Sequence, residues 1–322
     1  MKVVTFGELM IRFSPDLYLR WVQSDRFNVL YTGAEANVAV SLANFGLESR
    51  YVTKLPEHEI GQAAVNSLRK FGVDTDLVVR GGERIGLFYL EKGASQRSGK
   101  VIYDRKYSSI ATAKQSDFDW ENIFNGADWF HLTGITPALS DELAEICLTA
   151  LKTAKQKGLT VSMDLNYRSK LWSLEKARKT LEKMLPYVDY CKDLFWYEDG
   201  ETDREKIVAR MMKDFDLKGL FVTFRQAKSA NDHEWSGAFY TDGKEYLSKK
   251  YSMHVVDRVG GGDSFSAGFI YALKSGFSPQ KTIEFAVAAS CLKHSIEGDC
   301  NLVGVDEVLT LVEGDGTGRV QR

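Results

Sequence analysis

Three glycines followed by an acid, Gly260-Gly261-Gly262-Asp263, form the segment of this chain whose residue types best suit chemistry. An extended apolar stretch precedes them, and a helix with regularly spaced apolar residues follows from Ser264. Residues without a Cβ let backbone N–H groups converge where a helix begins, and that position attracts an anion such as a phosphate. A carboxylate beside the anion could take a proton from an alcohol. Asp263 is therefore either a catalytic base or the N-cap of the helix, which is a common use of Asp.

The same segment resembles the second signature motif of the ribokinase-like (PfkB) carbohydrate kinases, Asp-Thr-x-Gly-Ala-Gly-Asp-x-Phe. The matching residues are Asp257, Gly260, Gly262, Asp263 and Phe265, and the substitutions are Arg258 for Thr and Gly261 for Ala. The resemblance implies an ATP-dependent sugar kinase in which Asp263 is the catalytic base and the turn Gly260–Gly262 stabilises the transferred phosphate. It also implies a ribokinase-like fold, a three-layer α/β sandwich with a mainly parallel central sheet and a small β-lid.

Length and composition narrow the range of partners. The chain has 322 residues, 44% hydrophobic and 27% charged, which is ordinary for a globular protein with a substantial core. A net charge of −2 predicts neither a nucleic-acid partner nor an anionic membrane partner. We see no signal peptide and no apolar stretch of about 18 residues. The four cysteines are scattered and form no C-x-x-C pair, so we expect a cytoplasmic protein with free thiols.

Short β-type runs alternate with amphipathic helical stretches, which predicts a mainly parallel sheet covered by helices. We expect one kinase domain over residues 1–322. Two stretches, at about residues 10–30 and 85–110, interrupt the alternation with additional strands. The second contains a predicted hairpin of Gly86–Glu91 and Val101–Asp104. The family resemblance implies that these strands form a lid over the sugar and that a homo-oligomer assembles through the lid.

A glycine and an amide mark the start of the first predicted helix. Gly33, Ala34 and Asn37 lie where this helix begins, and Asn37 could serve only to bind the backbone there. The pattern also resembles the Gly-Gly-x-x-x-Asn-x-Ala motif of the sugar kinases, with Thr32 in place of the first glycine. The resemblance implies that these residues bind sugar hydroxyls, for which an amide is suited because it both donates and accepts hydrogen bonds.

Two arginines follow aromatic residues at predicted strand ends. The segments are Tyr103-Asp104-Arg105 and Asp164-Leu165-Asn166-Tyr167-Arg168. An arginine is ordinarily a solvated surface charge. Together, however, the segments resemble the Tyr-x-Arg and Asp-x-Asn-x-Arg motifs of the 2-keto-3-deoxygluconate kinases within the family. The resemblance implies that Tyr103, Arg105 and Arg168 face the substrate carboxylate, to which a guanidinium donates two hydrogen bonds. It also places Asn166 and Arg168 near the phosphates.

The lid strand carries one further predicted sugar contact. Gly86-Leu87-Phe88-Tyr89 resembles the lid strand of the family, with Phe88 in the place of a tyrosine. Tyr89 should face the opposite side of the strand, because successive side chains alternate. Phe88 is therefore the residue that the resemblance assigns to the substrate.

The nucleotide side of the predicted site departs from the family motifs. Val222–Ala227 stands where the family has Thr-x-Gly-x-x-Gly, and both glycines are missing. Arg225 is either a compensating phosphate contact or a surface charge, and Ser229–Trp235 is interpreted as a long polar loop. By resemblance, Asn301 lies near the adenine and Asp257 beside a monovalent cation such as K⁺. The family's Asn-x-x-Glu motif cannot be placed, so we expect Mg²⁺ to bind mainly through ATP phosphates and waters.

These features predict an ATP-dependent kinase that phosphorylates the terminal hydroxyl of 2-keto-3-deoxygluconate, with the sugar acid and ATP as small-molecule partners. The similarity extends from Gly7 to the tail Gly314–Arg322. One alternative is a fructokinase-like or other sugar kinase of the same fold, although a neutral sugar has no need of Arg105 and Arg168. The other is a sugar-acid-binding regulator without turnover, although such a protein has no need of an intact glycine turn and base.

Overall fold

The computed structural model describes residues 1–314, which form fifteen strands and nine α-helices. The strands are β1 Lys2–Phe6, β2 Met10–Ser14, β3 Asn28–Thr32, β4 Glu48–Val52, β5 Lys54–Leu55, β6 Val79–Arg80, β7 Gly86–Glu91, β8 Lys100–Asp104, β9 Trp129–Thr133, β10 Thr160–Asp164, β11 Tyr190–Lys192, β12 Gly219–Ala227, β13 Asp232–Thr241, β14 Lys244–Leu247 and β15 Tyr251–His254. The helices are α1 Ala34–Asn44, α2 Glu59–Arg69, α3 Trp120–Ile123, α4 Asp141–Gln156, α5 Leu174–Met184, α6 Arg204–Asp214, α7 Gly261–Lys274, α8 Pro279–His294 and α9 Val305–Glu313. None of the helices in this range is both long and apolar enough to cross a bilayer. The predicted similarity of the tail after Gly314 lies outside the described residues.

A nine-stranded sheet forms the centre of the molecule, in the order β14-β13-β12-β11-β10-β9-β1-β4, with β15 also paired to β13. Neighbours from β4 to β12 pair in parallel, as expected for strands joined by helical crossovers. Val4, Phe130 and Val161 on these strands have no exposed surface, because helices cover both faces of the sheet. The predicted α/β architecture with a mainly parallel sheet is confirmed.

The antiparallel edge of this sheet differs from the prediction. The sequence predicts a polar loop over Ser229–Trp235, but β13 begins at Asp232 and runs antiparallel to β12. His233 and Trp235 point inward, whereas Asp232 is exposed and Glu234 is partly exposed. Alternating polar residues along a half-buried strand resemble a loop when only the composition is considered.

Four strands form a separate small sheet in the order β3-β2-β7-β8. Strand β2 pairs antiparallel with β3 and parallel with β7, and β7 pairs antiparallel with β8. The strands come from both stretches in which the sequence predicts additional strands, and the predicted hairpin is present. Tyr89 stacks on Phe13 at a centroid distance of 5.5 Å, whereas Phe88 is buried with Met10 and Val259. The two side chains therefore lie on opposite faces of β7, as predicted.

Helix α7 begins earlier than its apolar pattern indicates. The pattern begins at Ser264, but the helix begins at Gly261 and has Gly260 as its N-cap. Glycines contribute nothing to an apolar periodicity, so the pattern could not reveal this first turn. As a result Asp263 lies within the first helical turn and is not the N-cap.

Candidate active site

The predicted catalytic residues meet at the carboxyl edge of the central sheet. Asp164 ends β10 and Lys192 ends β11. The glycine turn before α7 faces them, because a Cβ added at Gly262 would lie 3.8 Å from Lys192 Nζ. In open α/β sheets, ligands bind in the crevice beyond the carboxyl ends of the strands. The fold thus places a turn, a carboxylate and an ammonium group together at the position where a ligand is expected.

Gly260 and Gly261 are required by close packing. Gly260 has a φ of +81°, and a Cβ there would lie 1.8 Å from the carbonyl oxygen of Asp299. A Cβ at Gly261 would lie 2.2 Å from the ring of His294, and Ser290 Oγ donates a hydrogen bond to Gly261 O at 2.7 Å. These contacts hold the turn against α8 and the loop that follows it.

Gly262, in contrast, faces open space. Within residues 1–314, and apart from the backbone of α7 itself, a Cβ at this position would come within 4 Å of Lys192 Nζ alone, at 3.8 Å. The first regular hydrogen bond of α7 runs from Ser264 N to Gly260 O at 2.8 Å, so the N–H groups of Gly262 and Asp263 precede it. Two such N–H groups at the positive end of a 14-residue helix, with an ammonium group opposite, are suited to binding an anion.

Asp263 projects from the first turn of α7 and accepts a hydrogen bond from Asn37 Nδ2 at 2.8 Å. The pKa of Asp263 is raised to about 7, mainly by burial. The negative charge of Asp164 adds to the rise, whereas the hydrogen bond from Asn37 and the charge of Lys192 oppose it. A carboxylate that titrates near neutral pH beside an anion site is suited to removing a proton from an alcohol. The N-cap alternative for Asp263 is excluded, because Gly260 occupies that position.

Asn37 holds this carboxylate in place. The side chain is buried, and its Oδ1 accepts from the thiol of Cys300 at 3.8 Å. Thr32 Oγ1 lies 3.0 Å from the same oxygen and donates its one proton to Asp299 Oδ2 at 2.7 Å. Both ends of the amide therefore have protein partners. The expected sugar contact of Asn37 remains a prediction, and the observed geometry adds a second role, the orientation of Asp263.

Gly33, Ala34 and Phe88 lie on the side of the lid. Gly33 is the N-cap of α1, and a Cβ there would lie 2.0 Å from the carbonyl oxygen of Glu8. Ala34 is the first helical residue. Phe88 is buried in an apolar cluster that includes Val259, the residue directly before the glycine turn. The lid thus contacts the turn, and the sugar contacts of these three residues remain predictions.

Lys192 is a site residue that the sequence-based reasoning missed. Its ammonium group is buried and lies 2.8 Å from Asp164 Oδ2 and 3.3 Å from Asp193 Oδ2. Burial opposes its charge, but the two carboxylates outweigh burial and raise the pKa of Lys192. The available signal was its place at the carboxyl end of a strand in a parallel sheet, where functional residues collect.

The guanidinium of Arg105 is bound by a carboxylate of the protein itself, Glu8. Its Nε donates to Glu8 Oε2 at 2.7 Å, its Nη2 donates to the same oxygen, and Ser108 Oγ donates to Glu8 Oε1 at 2.6 Å. The guanidinium also lies 5.4 Å from the ring of Tyr103, which is itself largely exposed. An internal carboxylate thus binds the guanidinium of Arg105, and the pair fixes the end of β8. The expected contact of Arg105 with a substrate carboxylate remains a prediction.

Arg168 and Arg225 are exposed and lie near a third arginine. Burial lowers the pKa of Arg258, and repulsion from Arg225 and Arg168 lowers it further. Asn166 adopts a positive φ of +39°, and its N–H donates to Asp164 Oδ1 at 3.0 Å, which shapes the turn that leads to Arg168. Arg258 and the two cations that repel it lie close to the glycine turn, and such a cluster favours an anionic ligand.

Asn301, which is expected near the nucleotide, is buried and hydrogen-bonded within the protein. Asn301 is 1% exposed, its Nδ2 donates to Ser264 Oγ at 2.9 Å, and its Oδ1 accepts from Val303 N at 3.2 Å. Asn44 Nδ2 donates to its carbonyl oxygen. The side chain fixes the first turn of α7 from behind and has no surface left for a nucleotide.

Asp257, which is expected beside a monovalent cation, is bound by a guanidinium. Arg12 Nη2 donates to Asp257 Oδ2 at 2.7 Å, so a guanidinium occupies the place expected for a cation. Within residues 1–314 no group of three or more His, Cys, Asp or Glu side chains is arranged to hold a metal ion. This arrangement fits an Mg²⁺ ion that binds through ATP phosphates and waters.

Most of the chain matches a known protein family. The sequence pattern described as pfkB family carbohydrate kinase matches residues 1–193 and 236–303. The unmatched interval 194–235 contains the altered nucleotide-side segment and Arg225. The glycine turn, the lid strands and Lys192 all lie within the matched residues.

Named relatives align with nearly the full length of the chain. A 2-dehydro-3-deoxygalactonokinase of Haloferax volcanii is 32% identical over 98% of both chains. A 2-dehydro-3-deoxygluconokinase of Bacillus subtilis is 28% identical over 93% of this chain and 91% of the relative. The crystal structure of a 2-dehydro-3-deoxygluconokinase from Thermotoga maritima is 46% identical, with a TM-score of 0.93 over 98% of both chains. This chain belongs to the pfkB family of carbohydrate kinases.

Proposed function

We propose that this protein transfers the γ-phosphoryl group of ATP to the terminal hydroxyl of 2-keto-3-deoxygluconate, which is also called 2-dehydro-3-deoxygluconate. The single observation that carries the proposal is Asp263, which titrates near neutral pH in the first turn of a glycine-rich helix start. The names of the Thermotoga maritima and Bacillus subtilis relatives support the substrate.

The proposed reaction uses Asp263 as the base. Its carboxylate, oriented by Asn37, removes the proton from the sugar hydroxyl. The hydroxyl oxygen forms a bond to the γ-phosphorus, the bond from that phosphorus to the β-phosphate oxygen breaks, and ADP leaves. Since the pKa of Asp263 is about 7, a large fraction of the enzyme holds the base in its active form at neutral pH.

Charge that develops on the transferred phosphoryl group is stabilised by two sets of donors. The N–H groups of Gly262 and Asp263 donate hydrogen bonds to the equatorial oxygens of this group from one side. The ammonium of Lys192 faces the same oxygens from the other side. Mg²⁺ would enter with ATP and screen the phosphates, with most of its ligands supplied by phosphate and water oxygens.

The carboxylate of the sugar acid is proposed to bind near Arg168. This arginine is exposed and belongs to the cluster with Arg225 and Arg258. We assign Arg168 to the sugar carboxylate, and Arg225 and Arg258 to the nucleotide phosphates, in place of the glycines missing from Val222–Ala227. Tyr103 contributes from the lid, where it is exposed.

The 4-epimer, 2-keto-3-deoxygalactonate, is a second candidate substrate because the Haloferax volcanii relative is named for it. An assay of ADP release with both keto-deoxy acids, fructose and ribose tests the proposal, with Asp263→Asn as the control for contaminating kinases. We expect the highest kcat/KM with 2-keto-3-deoxygluconate. A preference for fructose would favour the fructokinase-like alternative, and binding without ADP release would favour a regulator.

Assembly and location are proposed on separate grounds. The outer face of the lid exposes apolar side chains, including Val29 and Ile102, which supports association of two copies through this sheet. Light scattering at several concentrations, with Ile102→Lys as a disrupting variant, tests the association.

The four cysteines Cys147, Cys191, Cys291 and Cys300 are free thiols, which supports a location in the reducing cytoplasm.

A further inference from the structure

Four buried charges form a closed cluster directly behind the glycine turn. They belong to Arg12 on β2 of the lid sheet, Asp257 before the turn, Lys293 at the end of α8 and Asp299 in the loop that follows. Each side chain is at most 3% exposed. Burial lowers the pKa of Lys293 and raises that of Asp299, and the opposite charges within the cluster counter both shifts. With all four groups ionised, two cations and two carboxylates balance and the cluster carries no net charge. The adjacent pair of Lys92 and the exposed Glu297 is balanced as well.

Every carboxylate oxygen in this cluster has a protein donor. Asp257 Oδ2 accepts from Arg12 Nη2 at 2.7 Å, and Asp257 Oδ1 accepts from Val259 N at 3.2 Å. Asp299 Oδ1 binds Arg12 Nη1, and Asp299 Oδ2 accepts from Thr32 Oγ1 at 2.7 Å. An added metal ion would have to displace one of these donors, and the displaced group would remain buried without its partner.

The ammonium of Lys293 binds the backbone oxygens beside the turn. Its Nζ donates to the carbonyl of Asp257 at 3.0 Å and lies 3.4 Å from the carbonyl of Ile296. The same region is tied to α8 by Val256 N, which donates to His294 O at 2.8 Å. A positive charge that bridges two carbonyls in this way fixes the conformation of the segment that leads into the glycine turn.

The K⁺ ion expected from the family resemblance therefore does not fit the residues at this position. We propose that this kinase needs no monovalent cation, because the ammonium of Lys293 and the guanidinium of Arg12 already supply the positive charge that holds the glycine turn. A third buried cation would leave the cluster with an uncompensated charge, which is costly in a low-dielectric interior. The proposal builds on the proposed kinase function but does not depend on which sugar is the substrate.

Turnover and thermal unfolding of the full-length protein in KCl, NaCl and choline chloride, at equal ionic strength, test this inference. We expect kcat to vary less than about twofold and the Tm of the unliganded protein to stay the same among the three salts. Activation of the wild-type protein by K⁺ of more than about tenfold, or a rise in Tm specific to KCl, would overturn the proposal. The Tm measurement requires no substrate, so it remains decisive even if the proposed sugar is wrong.

The variant Lys293→Met separates the role of this ammonium from general stability. Removing the ammonium frees the two carbonyls and leaves a net negative cluster, so we expect turnover and Tm to fall in choline chloride and to recover in part in KCl. The matched control is Lys281→Met, which removes an exposed lysine from the same helix and should respond equally to all salts. A folded Lys293→Met protein that is indifferent to K⁺ would show that Lys293 does not occupy a cation position. If this variant does not fold, the wild-type salt series decides alone.

Discussion

Asp257 and Asp263 lie on either side of the glycine turn, six residues apart, and their surroundings differ in kind. Asp257 is 2% exposed and binds the guanidinium of Arg12. Asp263 has an amide, Asn37, as its hydrogen-bond partner, and burial raises its pKa to about 7. A cation partner stabilises an ionised buried carboxylate, whereas a neutral partner leaves much of the cost of burial uncompensated.

The contrast shows how one short segment combines a fixed support with a group that exchanges protons. Asp257 is part of a balanced charge cluster that holds the backbone, and a proton transfer there would break the cluster. Asp263 faces the open side of the turn, where a proton acceptor with a pKa near 7 is useful. The same distinction separates Arg105, which is paired with Glu8, from the exposed Arg168.

The largest expected effect is on turnover in Asp263→Asn. Removal of the general base should lower kcat by about 10²–10⁴-fold, while sugar binding is retained because the amide keeps the hydrogen bond from Asn37. Steady-state kinetics and calorimetric titration with the sugar measure the two quantities. A kcat within threefold of the wild-type value would rule out Asp263 as the base.

The main effect of Asp257→Asn should be a lower free energy of unfolding. The change leaves Arg12 and Lys293 buried with only one carboxylate, and breaking a buried ion pair costs about 3–5 kcal/mol. Urea unfolding monitored by fluorescence gives the free energy of unfolding. The control Asp25→Asn changes an exposed acid and should alter that free energy by less than about 0.5 kcal/mol. A loss below about 1 kcal/mol for Asp257→Asn would contradict the role of the cluster.

Arg168→Ala and Arg105→Ala should differ in how strongly they lower activity on acidic and on neutral sugars. Arg168→Ala removes a charge-assisted contact of about 1.5–3 kcal/mol, so kcat/KM for the keto-deoxy acid should fall by about tenfold or more while any activity on fructose changes less. Arg105→Ala leaves Glu8 without its guanidinium, and we expect equal losses on both sugars together with a lower Tm. The reverse pattern would identify Arg105 as the residue that binds the sugar carboxylate.

The pH dependence gives the finest test of the comparison. The pKa of Asp263 rises from an ordinary 3.8 to about 7 on folding, so the folded state favours the protonated acid. Stability from this group is therefore present below about pH 4 and is lost as the pH rises towards 7. Asn at this position carries no such cost, so the Tm of Asp263→Asn relative to wild type should increase by at least about 2 °C from pH 4 to pH 8. A constant difference in Tm would contradict the raised pKa.

The same titration governs the rate. Asp263 acts as a base only when ionised, so kcat/KM should fall about tenfold for each pH unit below 7. The decline should follow a single ionisation, measured with a sugar whose own carboxylate does not titrate in this range. A rate that is flat between pH 5.5 and 7 would mean that the base titrates at a lower pH.

Local spacing was sufficient to predict the family, the α/β fold, the lid strands and the glycine turn. Each of these depends on residues close together in the chain, such as Gly260–Asp263 or the hairpin Gly86–Glu91 with its partner strand. The family and the enzyme class are confirmed by the matched sequence pattern and the relatives. The start of α7 and strand β13 were missed, because glycine carries no periodicity and alternating polar residues conceal a strand.

Residue types and local spacing predicted which side chains could do chemistry, whereas long-range packing set which of them already have partners within the protein. Arg12 and Asp299 are 287 positions apart, and Arg105 and Glu8 are 97 apart, so no local pattern could reveal these pairs. The energy of a charge depends on its burial and on the partner it meets, and both are set by long-range packing. For that reason Asp263 could be proposed as the base from local sequence, whereas the internal cations behind the glycine turn were visible only in the fold.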